Sequence, residues 1–368
     1  MPKNNTIANK IILSGVTVLT LVLTGCVGNT SMFRGDPSHT ALYSDSGPTS
    51  LDSLEWKYTV PDKSYSSPLA ANGLIYLGSN DKHLYAIDQK TGQLKWSFET
   101  GGNIEATPAA ANGLVFIGSW DKTMYAVSNE SQAVIWKQKT EGAISSSPIV
   151  ADGILYFASE DGHLYATEAD TGHRLWSYNA GAAIYSSPAV SRGFIFFGTL
   201  NGEMIAVNSS TGQEYWRFKA NGKIHSSPAA NDNYVYFGSD DKRVYAVNIH
   251  TGQQSWMKKT AGPVLSSPAL FDDKVYIGSK DGYVYAYNAN DGVREWEYKT
   301  DAGVFAPVTI ASDTVYVGST DQNLYALDAE EGRLRWKYKV DDKIYSAAVV
   351  SDNHLYFNSV NGSLFAVK

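Results

Sequence analysis

The side chains that could do chemistry in this chain are histidines and carboxylates, and their spacing argues against a catalytic set. There is no His-Glu-x-x-His, Gly-x-Ser-x-Gly or Cys-x-x-Cys pattern and no Walker-type phosphate loop. Of the seven histidines, only His225 falls in a column predicted to line the centre of the fold. The sequence therefore predicts no catalytic residues, no metal-binding residues and no cofactor.

The carboxylates follow the turns of a repeat and not the pattern of a metal site. An Asp/Asn column recurs at a fixed interval, at Asp81, Asp121, Asp161, Asn201, Asp241, Asp281, Asp321 and Asn361. Adjacent acids occur at Asp240-Asp241, Asp272-Asp273 and Asp341-Asp342, but none of these pairs has the ligand spacing of a calcium loop. Because Asp and Asn favour tight turns, turn formation explains this column better than metal binding does.

Tryptophan marks the same interval of forty residues, and only Trp120 falls outside the series. The series comprises Trp56, Trp96, Trp136, Trp176, Trp216, Trp256, Trp296 and Trp336. A fixed period of this length without insertions indicates a repeat architecture. Residues that all repeats share are therefore expected to be structural, and recognition is expected where the repeats differ.

One repeat is predicted to form a four-stranded antiparallel sheet. In residues 143–178, four predicted strands at 143–150, 154–159, 163–167 and 173–178 alternate with turns that contain Asp-Gly or Thr-Gly, and the first of these strands is apolar and β-branched. No stretch after the N-terminal segment shows a sustained helical period. The fold class is therefore all-β.

The phase of the repeat predicts a ring. The ordered part begins with a lone fourth strand at 54–59 and ends with three strands and no tryptophan, at 344–368. In a ring the first strand would complete the last sheet, and no long sheet edge would stay open. We predict an eight-bladed β-propeller over residues 51–368, monomeric, with its last blade closed by the N-terminal strand.

The N-terminus is predicted to be an export and anchoring segment. Lys3 and Lys10 precede a short apolar run that ends in Leu23-Thr24-Gly25-Cys26, which resembles a bacterial lipobox. The prediction is a signal peptide at 1–25, lipidation at Cys26, the only cysteine, and a lipidated flexible tether at 26–50. Val27 follows Cys26, and not the aspartate that resembles an inner-membrane retention signal, so in a cell with two membranes the outer membrane facing the periplasm is the favoured location.

Overall charge argues against a nucleic-acid partner. The net charge is −7, and residues 1–26 contain two lysines and no acid, so the remaining chain has 28 bases against 37 acids, or −9. Nucleic-acid surfaces need clustered Lys and Arg. The expected contact with a membrane is through the lipid anchor alone.

Two columns break the symmetry of the repeats and are the candidates for partner binding. One precedes the Ser-Ser-Pro motif, and the other enters the turn between the second and third strands; strand direction places both on one face. Exposed aromatic and apolar side chains that cluster mark interfaces. The alternative for the first column is that it fills the central channel. The candidate residues are Tyr65, Glu105, Trp120, Tyr185, Leu200, His225, Phe305 and Tyr345.

The turn before each tryptophan resembles the docking motif of quinoprotein-type β-propellers. The pattern runs from Ala86 through Thr91-Gly92 to Trp96 and returns at 206–216 and 246–256. The resemblance covers roughly residues 54–368 and implies that each indole packs against the next blade. The second repeat has Ser131-Gln132 in place of Thr-Gly, so a looser contact is expected there.

Two branches of that family suggest different functions. Dehydrogenases that use pyrroloquinoline quinone share the propeller, but they are usually longer and hold the quinone with calcium-ligating carboxylates and often a cysteine pair. BamB-like lipoproteins, scaffolds of the outer-membrane β-barrel assembly machinery, match in lipobox, length and predicted blade number. Residues 33–40 resemble a leader of the wider family. We expect a non-catalytic scaffold that binds envelope proteins; a quinone dehydrogenase and a glycan- or peptide-binding surface lipoprotein are the alternatives.

Overall fold

Eight four-stranded antiparallel sheets form a closed ring in the computed structural model, which describes residues 30–368. No helix occurs in this part of the chain. The predicted signal peptide and Cys26 lie outside the described residues. The all-β, eight-bladed architecture is confirmed.

Each blade has a short inner strand next to the channel, followed by three longer strands that lie progressively further out. The strands of blades 1 to 4 are, in order, Leu69–Ala71, Leu74–Gly78, His83–Asp88 and Leu94–Glu99; Ala109–Ala111, Leu114–Ser119, Thr123–Ser128 and Val134–Lys139; Ile149–Ala151, Ile154–Ala158, His163–Glu168 and Arg174–Asn179; Ala189–Ser191, Phe194–Gly198, Glu203–Asn208 and Glu214–Lys219.

The strands of blades 5 to 8 follow the same order. They are Ala229–Ala230, Tyr234–Ser239, Arg243–Asn248 and Gln254–Lys259; Ala269–Phe271, Lys274–Gly278, Tyr283–Asn288 and Arg294–Lys299; Thr309–Ala311, Thr314–Gly318, Asn323–Asp328 and Leu334–Lys339; Val349–Ser351, His354–Asn358, Ser363–Val367 and the N-terminal Leu54–Thr59. A further strand, Leu42–Tyr43, pairs in parallel with the inner strand of blade 7.

Blade 8 closes as predicted from the split repeat. Leu54–Thr59 pairs antiparallel with Ser363–Val367, with Trp56 opposite Ala366. The amides of Asp52 and Ser53 both donate to the carbonyl of Lys368, at 2.7 and 3.0 Å. The two ends of the chain therefore share one sheet, and this sheet packs against blade 1 through buried apolar residues of both blades.

The tryptophans dock between blades, as the family resemblance implied. In each outer strand a β-bulge precedes the tryptophan and turns its indole toward the next blade. Six of the eight indole nitrogens donate to a carbonyl of that blade: Trp56 to Gln89 (3.0 Å), Trp136 to Ala169 (2.8 Å), Trp176 to Ser209 (3.2 Å), Trp216 to Ile249 (2.9 Å), Trp256 to Ala289 (2.8 Å) and Trp296 to Ala329 (2.9 Å). A seventh, Trp336, donates to Pro48 of the N-terminal segment (2.9 Å).

A glycine with positive φ supports most of these indoles. A Cβ added to Gly92 would lie 2.7 Å from the Trp56 ring, and φ at Gly92 is +68°. Gln132 occupies the equivalent position beneath Trp96, also at positive φ (57°). Within residues 30–368, Trp96 is the one member of the series without the indole hydrogen bond, so the looser contact expected at the second repeat is observed.

The Ser-Ser-Pro motif links the inner strands to one another. The amide of Ser147 donates to the Ser187 hydroxyl at 2.9 Å, and the amide of Ser187 donates to the Ser227 hydroxyl at 3.0 Å. Equivalent bonds join residues 67 to 107, 107 to 147, 227 to 267 and 347 to 67. This hydroxyl belt is interrupted at Pro307, which has no N–H to donate and no hydroxyl to accept.

The belt also corrects one predicted strand. The run 143–150 was expected to be a strand throughout, but only Ile149–Ala151 pairs within the blade. Pro148 has no N–H, and the amide of Ser147 is used between blades and not within one. Residues 143–148 therefore cross from one blade to the next.

Part of the predicted tether, from Ser31 to Ala41, is hydrogen-bonded to the ring in the structure. Residues 31–45, which we call the plug, lie across one end of the channel, where Met32 and Ala41 are buried. Plug carbonyls accept from the central inner-strand amide of five blades: Ser31 from Ala110 (2.7 Å), Pro37 from Val190 (2.6 Å), Ser38 from Ala230 (2.9 Å), Thr40 from Leu270 (2.9 Å) and Ala41 from Ile310 (2.9 Å). These five bonds order a segment whose composition is typical of a linker.

Two charged or ionisable plug residues are buried in the channel. The Arg34 guanidinium donates to the backbone carbonyls of His39, Ser267 and Pro268, and burial lowers the Arg34 pKa to about 10. The His39 ring contacts the Pro228 carbonyl at 3.2 Å, and burial together with the Arg34 charge lowers the His39 pKa to about 3. His39 is therefore neutral at physiological pH.

Candidate functional site

Both symmetry-breaking columns lie on one face, opposite the plug. In every blade, the amide of the second-column residue donates to the carbonyl two residues before the first-column residue. Trp120 donates to Asn103 and Leu200 to Ala183, both at 2.9 Å, and the other six blades repeat the bond. We call this surface, formed by residues 65, 80 and their equivalents in every repeat, the aromatic face.

One side of the aromatic face is an aromatic arc. The ring centroids of Phe305 and Tyr345 are 5.3 Å apart, and those of Tyr345 and Tyr65 are 6.2 Å apart. Lys280 lies 6.0 Å from the Phe305 centroid. Tyr65 keeps 37% of its surface exposed. Three of the predicted residues are thus brought together in blades 7, 8 and 1.

The adjoining part of the aromatic face, in blades 2 to 4, is acidic, and we call it the acidic arc. Ser145 Oγ donates to Glu160 Oε1 at 2.7 Å, and Glu105 is half-buried. Burial raises the Glu105 pKa to about 7; the Asn80 side chain lowers it by hydrogen bonding, and the nearby Glu160 charge raises it. Among the salt bridges within residues 30–368, none involves either glutamate.

Two exposed aromatic side chains accompany these carboxylates. Trp120 belongs to the same blade as Glu105 and is 41% exposed, and Tyr185 is 36% exposed. Burial, followed by the charge of Glu160, raises the pKa of Tyr185, so its hydroxyl stays protonated. The acidic arc can therefore offer π-faces and uncompensated negative charge to a basic group of a partner.

His225 occupies the boundary between the two arcs. Its ring stacks edge-on with Tyr185 at 6.0 Å, and its Nε2 lies 3.5 Å from Asp240 Oδ2. Burial lowers the His225 pKa, and the Asp240 charge opposes the shift. Leu200, the remaining predicted residue, is half-buried in the turn of blade 4.

Sequence reasoning missed the residues that complete this arrangement. Glu160, Asn80 and Lys280 belong to the variable columns, but each is an ordinary turn residue when read alone. The contacts of Asn80 with Glu105 and of Lys280 with Phe305 join adjacent blades, and the contact of Glu160 with Ser145 lies within blade 3. The order of the blades is the signal that could have found them, because it places the second-column residue of one blade next to the first-column residue of the following blade.

Two concave spaces lie on the opposite face of the ring, which carries the plug and which we call the plug face. A cleft of about 830 Å³ is lined by Pro37, Asn112, Asp152 and Arg192, among others, and a second of about 470 Å³ lies near Asp36 and Asp273. Hairpin-turn residues present in every blade form most of these walls. Such spaces follow from the plug crossing a wider channel, and we place the candidate site on the aromatic face because that is where the blades differ.

The described residues offer no donor set for a metal. Within residues 30–368 no group of three or more His, Cys, Asp or Glu side chains could hold a metal ion. The same part of the chain contains no helix with the length and apolarity needed to cross a membrane.

A family profile decides the classification. Two overlapping matches, over residues 38–229 and 190–368, are to the β-propeller of the beta-alanine-activating enzyme. The chain belongs to this β-propeller family. A comparison with curated proteins finds no significant match. The match covers all the repeats, and it also includes the plug residues from Ser38 onward.

Solved structures similar to this family member include BamB, a dehydrogenase and a designed protein. BamB from Moraxella catarrhalis has 16% identity and a TM-score of 0.73, covering 86% of this chain and 99% of BamB. A europium-containing methanol dehydrogenase has 12% identity and a TM-score of 0.78, covering 92% and 98%. A computationally designed protein, Ika8, has 17% identity and a TM-score of 0.75, covering 89% and 99%.

At these identities the likeness establishes the fold, and the predicted resemblance to quinoprotein-type propellers is confirmed at that level. The quinone dehydrogenases were expected to need calcium-ligating carboxylates. On the aromatic face Glu105 and Glu160 are two carboxylates, and within residues 30–368 they belong to no group of three or more His, Cys, Asp or Glu side chains that could hold a metal ion.

Proposed function

We propose that this protein is a non-catalytic, lipid-anchored scaffold of the bacterial cell envelope that binds partner proteins through its aromatic face. The observation that carries the proposal is the asymmetry of that face on an otherwise repetitive ring. Trp120 and Tyr185 are exposed at positions where most other repeats have polar or half-buried residues. Large exposed aromatic residues are the anchors that dominate protein interfaces.

The acidic arc suggests the chemistry of the partner. Glu105 and Glu160 have no cationic partner among residues 30–368, and the exposed indole of Trp120 belongs to the same arc. A lysine or arginine side chain of a bound protein would neutralise the carboxylates and could stack on the indole. The aromatic arc at Phe305, Tyr345 and Tyr65 would cover apolar surface of the same partner.

The envelope location rests on the N-terminal sequence. Lipidation at Cys26 and an outer-membrane site facing the periplasm remain our proposal, with components of the β-barrel assembly machinery as the candidate partners. The fold shared with BamB supports this choice. The ring is proposed to act as a monomer, because all eight blades come from one chain.

Recovery of partners from membranes tests the scaffold function. The lipidated protein and a Trp120→Ala/Tyr185→Ala variant would be crosslinked in cells and purified from membranes, with co-purified proteins quantified. Tyr215→Ala is the matched control, because Tyr215 is 60% exposed on the outer strand of blade 4, away from the aromatic face. We expect the double variant to lose specific partners and the control to keep them; a double variant that retains every partner contradicts the proposal.

A quinone dehydrogenase is the competing function, because enzymes of that type share the fold. Incubation with pyrroloquinoline quinone and calcium, followed by a dye-reduction assay with alcohols and sugars, separates the two. We expect no activity above that of the quinone alone. Substrate-dependent dye reduction would replace the scaffold proposal.

A further inference from the structure

The order of the plug has a consequence for how the ring stands on a membrane. We propose that the lipid anchor fixes the orientation of the propeller, with the plug face toward the bilayer and the aromatic face toward the aqueous compartment. This inference rests on the proposed lipidation of Cys26. The anchor holds the plug face next to the lipid headgroup layer, and the proposal requires no attraction between that face and the headgroups.

The chain is held firmly only five residues after the proposed anchor. Ser31 exchanges two backbone hydrogen bonds with Ala110, at 2.8 and 2.7 Å, on the inner strand of blade 2. Met32, Phe33 and Arg34 follow it into buried positions. Whatever path residues 26–31 take, five residues span at most about 18 Å.

That reach is too short for the opposite orientation. To bring the aromatic face to the bilayer, the chain would first have to cross the three outer strands of a blade, which is about 14 Å at the spacing of paired strands. It would then have to run along the length of a six-residue strand, which is about 20 Å. The channel offers no shorter route, because residues 32–41 of the same chain occupy it. Only the plug face can lie within reach of the headgroups.

The charges of the plug face indicate that the anchor alone provides the attachment. The first hairpin turn of each blade lies on this face, and these turns contain six acids, Asp152, Asp232, Asp272, Asp273, Asp313 and Asp352, but a single base, Arg192. Arg192 pairs with Asp232 at 2.6 Å. Anionic lipids repel such a surface, and the protein without its lipid should not bind vesicles.

The orientation restricts the partners that the aromatic face can bind. Trp120 and Tyr185 would project away from the bilayer by the height of the ring. A partner must therefore present its basic and apolar groups from a domain that extends into the aqueous compartment. Epitopes at the level of the headgroups would lie on the wrong side of the propeller.

Cysteine accessibility tests the orientation, because a lipidated Cys26 has no free thiol to react. Asp232→Cys reports on the plug face and Asp62→Cys on the aromatic face; both aspartates are exposed. Each lipidated variant would be reconstituted into phosphatidylcholine vesicles that contain some phosphatidylglycerol and labelled with a bulky maleimide. The same variants with Cys26→Ser and without the lipid give the reference rates in solution.

We expect the membrane to slow labelling of Asp232→Cys severalfold and to leave labelling of Asp62→Cys unchanged. Equal labelling at both positions, or protection of Asp62→Cys, overturns the orientation. Mass spectrometry of the mature protein reports lipidation separately, and an unlipidated chain overturns the anchor and this inference together. The crosslinking experiment compares partner yields between two lipidated variants, so a double variant that loses its partners supports the scaffold function even where the labelling contradicts the orientation, and the two failures are distinguishable.

Discussion

The indole nitrogen of Trp336 donates a hydrogen bond of 2.9 Å to the carbonyl oxygen of Pro48, 288 residues earlier in the chain. The hydroxyl of Tyr316 donates to the same carbonyl at 3.0 Å. In the other blades the equivalent carbonyl belongs to the turn before the next tryptophan. The split repeat lacks that turn, and the N-terminal segment supplies the carbonyl in its place, which joins blade 7 to blade 8.

The docked indole should require glycine beneath it for two reasons: the position has a positive φ, and a side chain there would collide with the ring. Gly92→Ala places a Cβ 2.7 Å from the Trp56 ring, whereas Gly73→Ala meets nothing within 4 Å; both glycines have positive φ. Both variants pay about 1 kcal/mol for the backbone conformation. We expect Gly92→Ala to lose about 1–3 kcal/mol more by overpacking, measured by urea denaturation. Equal losses would contradict the docking interpretation.

The hydroxyl belt should contribute measurably to the stability of the ring. Ser187→Ala leaves the buried amide of Ser147 without its acceptor. An unsatisfied buried donor costs about 1–3 kcal/mol, and we expect a loss of that size in the free energy of unfolding. Ser210→Ala, at an exposed turn of the same blade, is the control and should change little. A Ser187→Ala variant as stable as this control would show that the belt is dispensable.

The raised pKa of Glu105 predicts that the free energy of unfolding falls as the pH rises. Its pKa rises from 4.5 to about 7 on folding. The stability that its protonation contributes is therefore fully present below pH 4.5, where the carboxyl is protonated in both states, and is lost as the pH rises through 7. Glu105→Gln removes the titration. We expect the variant to gain about 1 kcal/mol relative to the wild type between about pH 4.5 and pH 8, after allowance for solvent screening. Parallel stability curves for the two proteins would exclude a raised pKa.

The same titration should govern partner binding. Deprotonated Glu105 attracts a basic group, so affinity for the partner should fall as the pH drops below about 7, and the pH dependence should be smaller in Glu105→Gln. Titration of the crosslinking yield against pH measures it. An unchanged pH profile in the variant would place the basic contact elsewhere.

Most of the architecture was predictable because it repeats. Trp216 and its equivalents specify the period, and the lone strand at 54–59 specifies closure. The plug was not predictable from composition, since Gly, Ser, Thr and Pro are typical of linkers and the five inner-strand amides that order it lie up to 269 residues away. Arg34 and His39 gave no local signal of burial. The pairing of Glu160 with Ser145 likewise required the assembled blade.

The central claim is that shared residues build the ring and unlike residues recognise the partner. Two tryptophan variants test it in one experiment, in which the melting temperature and the crosslinked partner yield are measured for each. Trp216→Ala removes a buried indole and its hydrogen bond, and we expect a loss of about 3–5 kcal/mol with partner yield preserved below the melting temperature. Trp120→Ala should melt like the wild type and lose the partner. Normal stability in Trp216→Ala, or full partner yield in Trp120→Ala, would contradict the account.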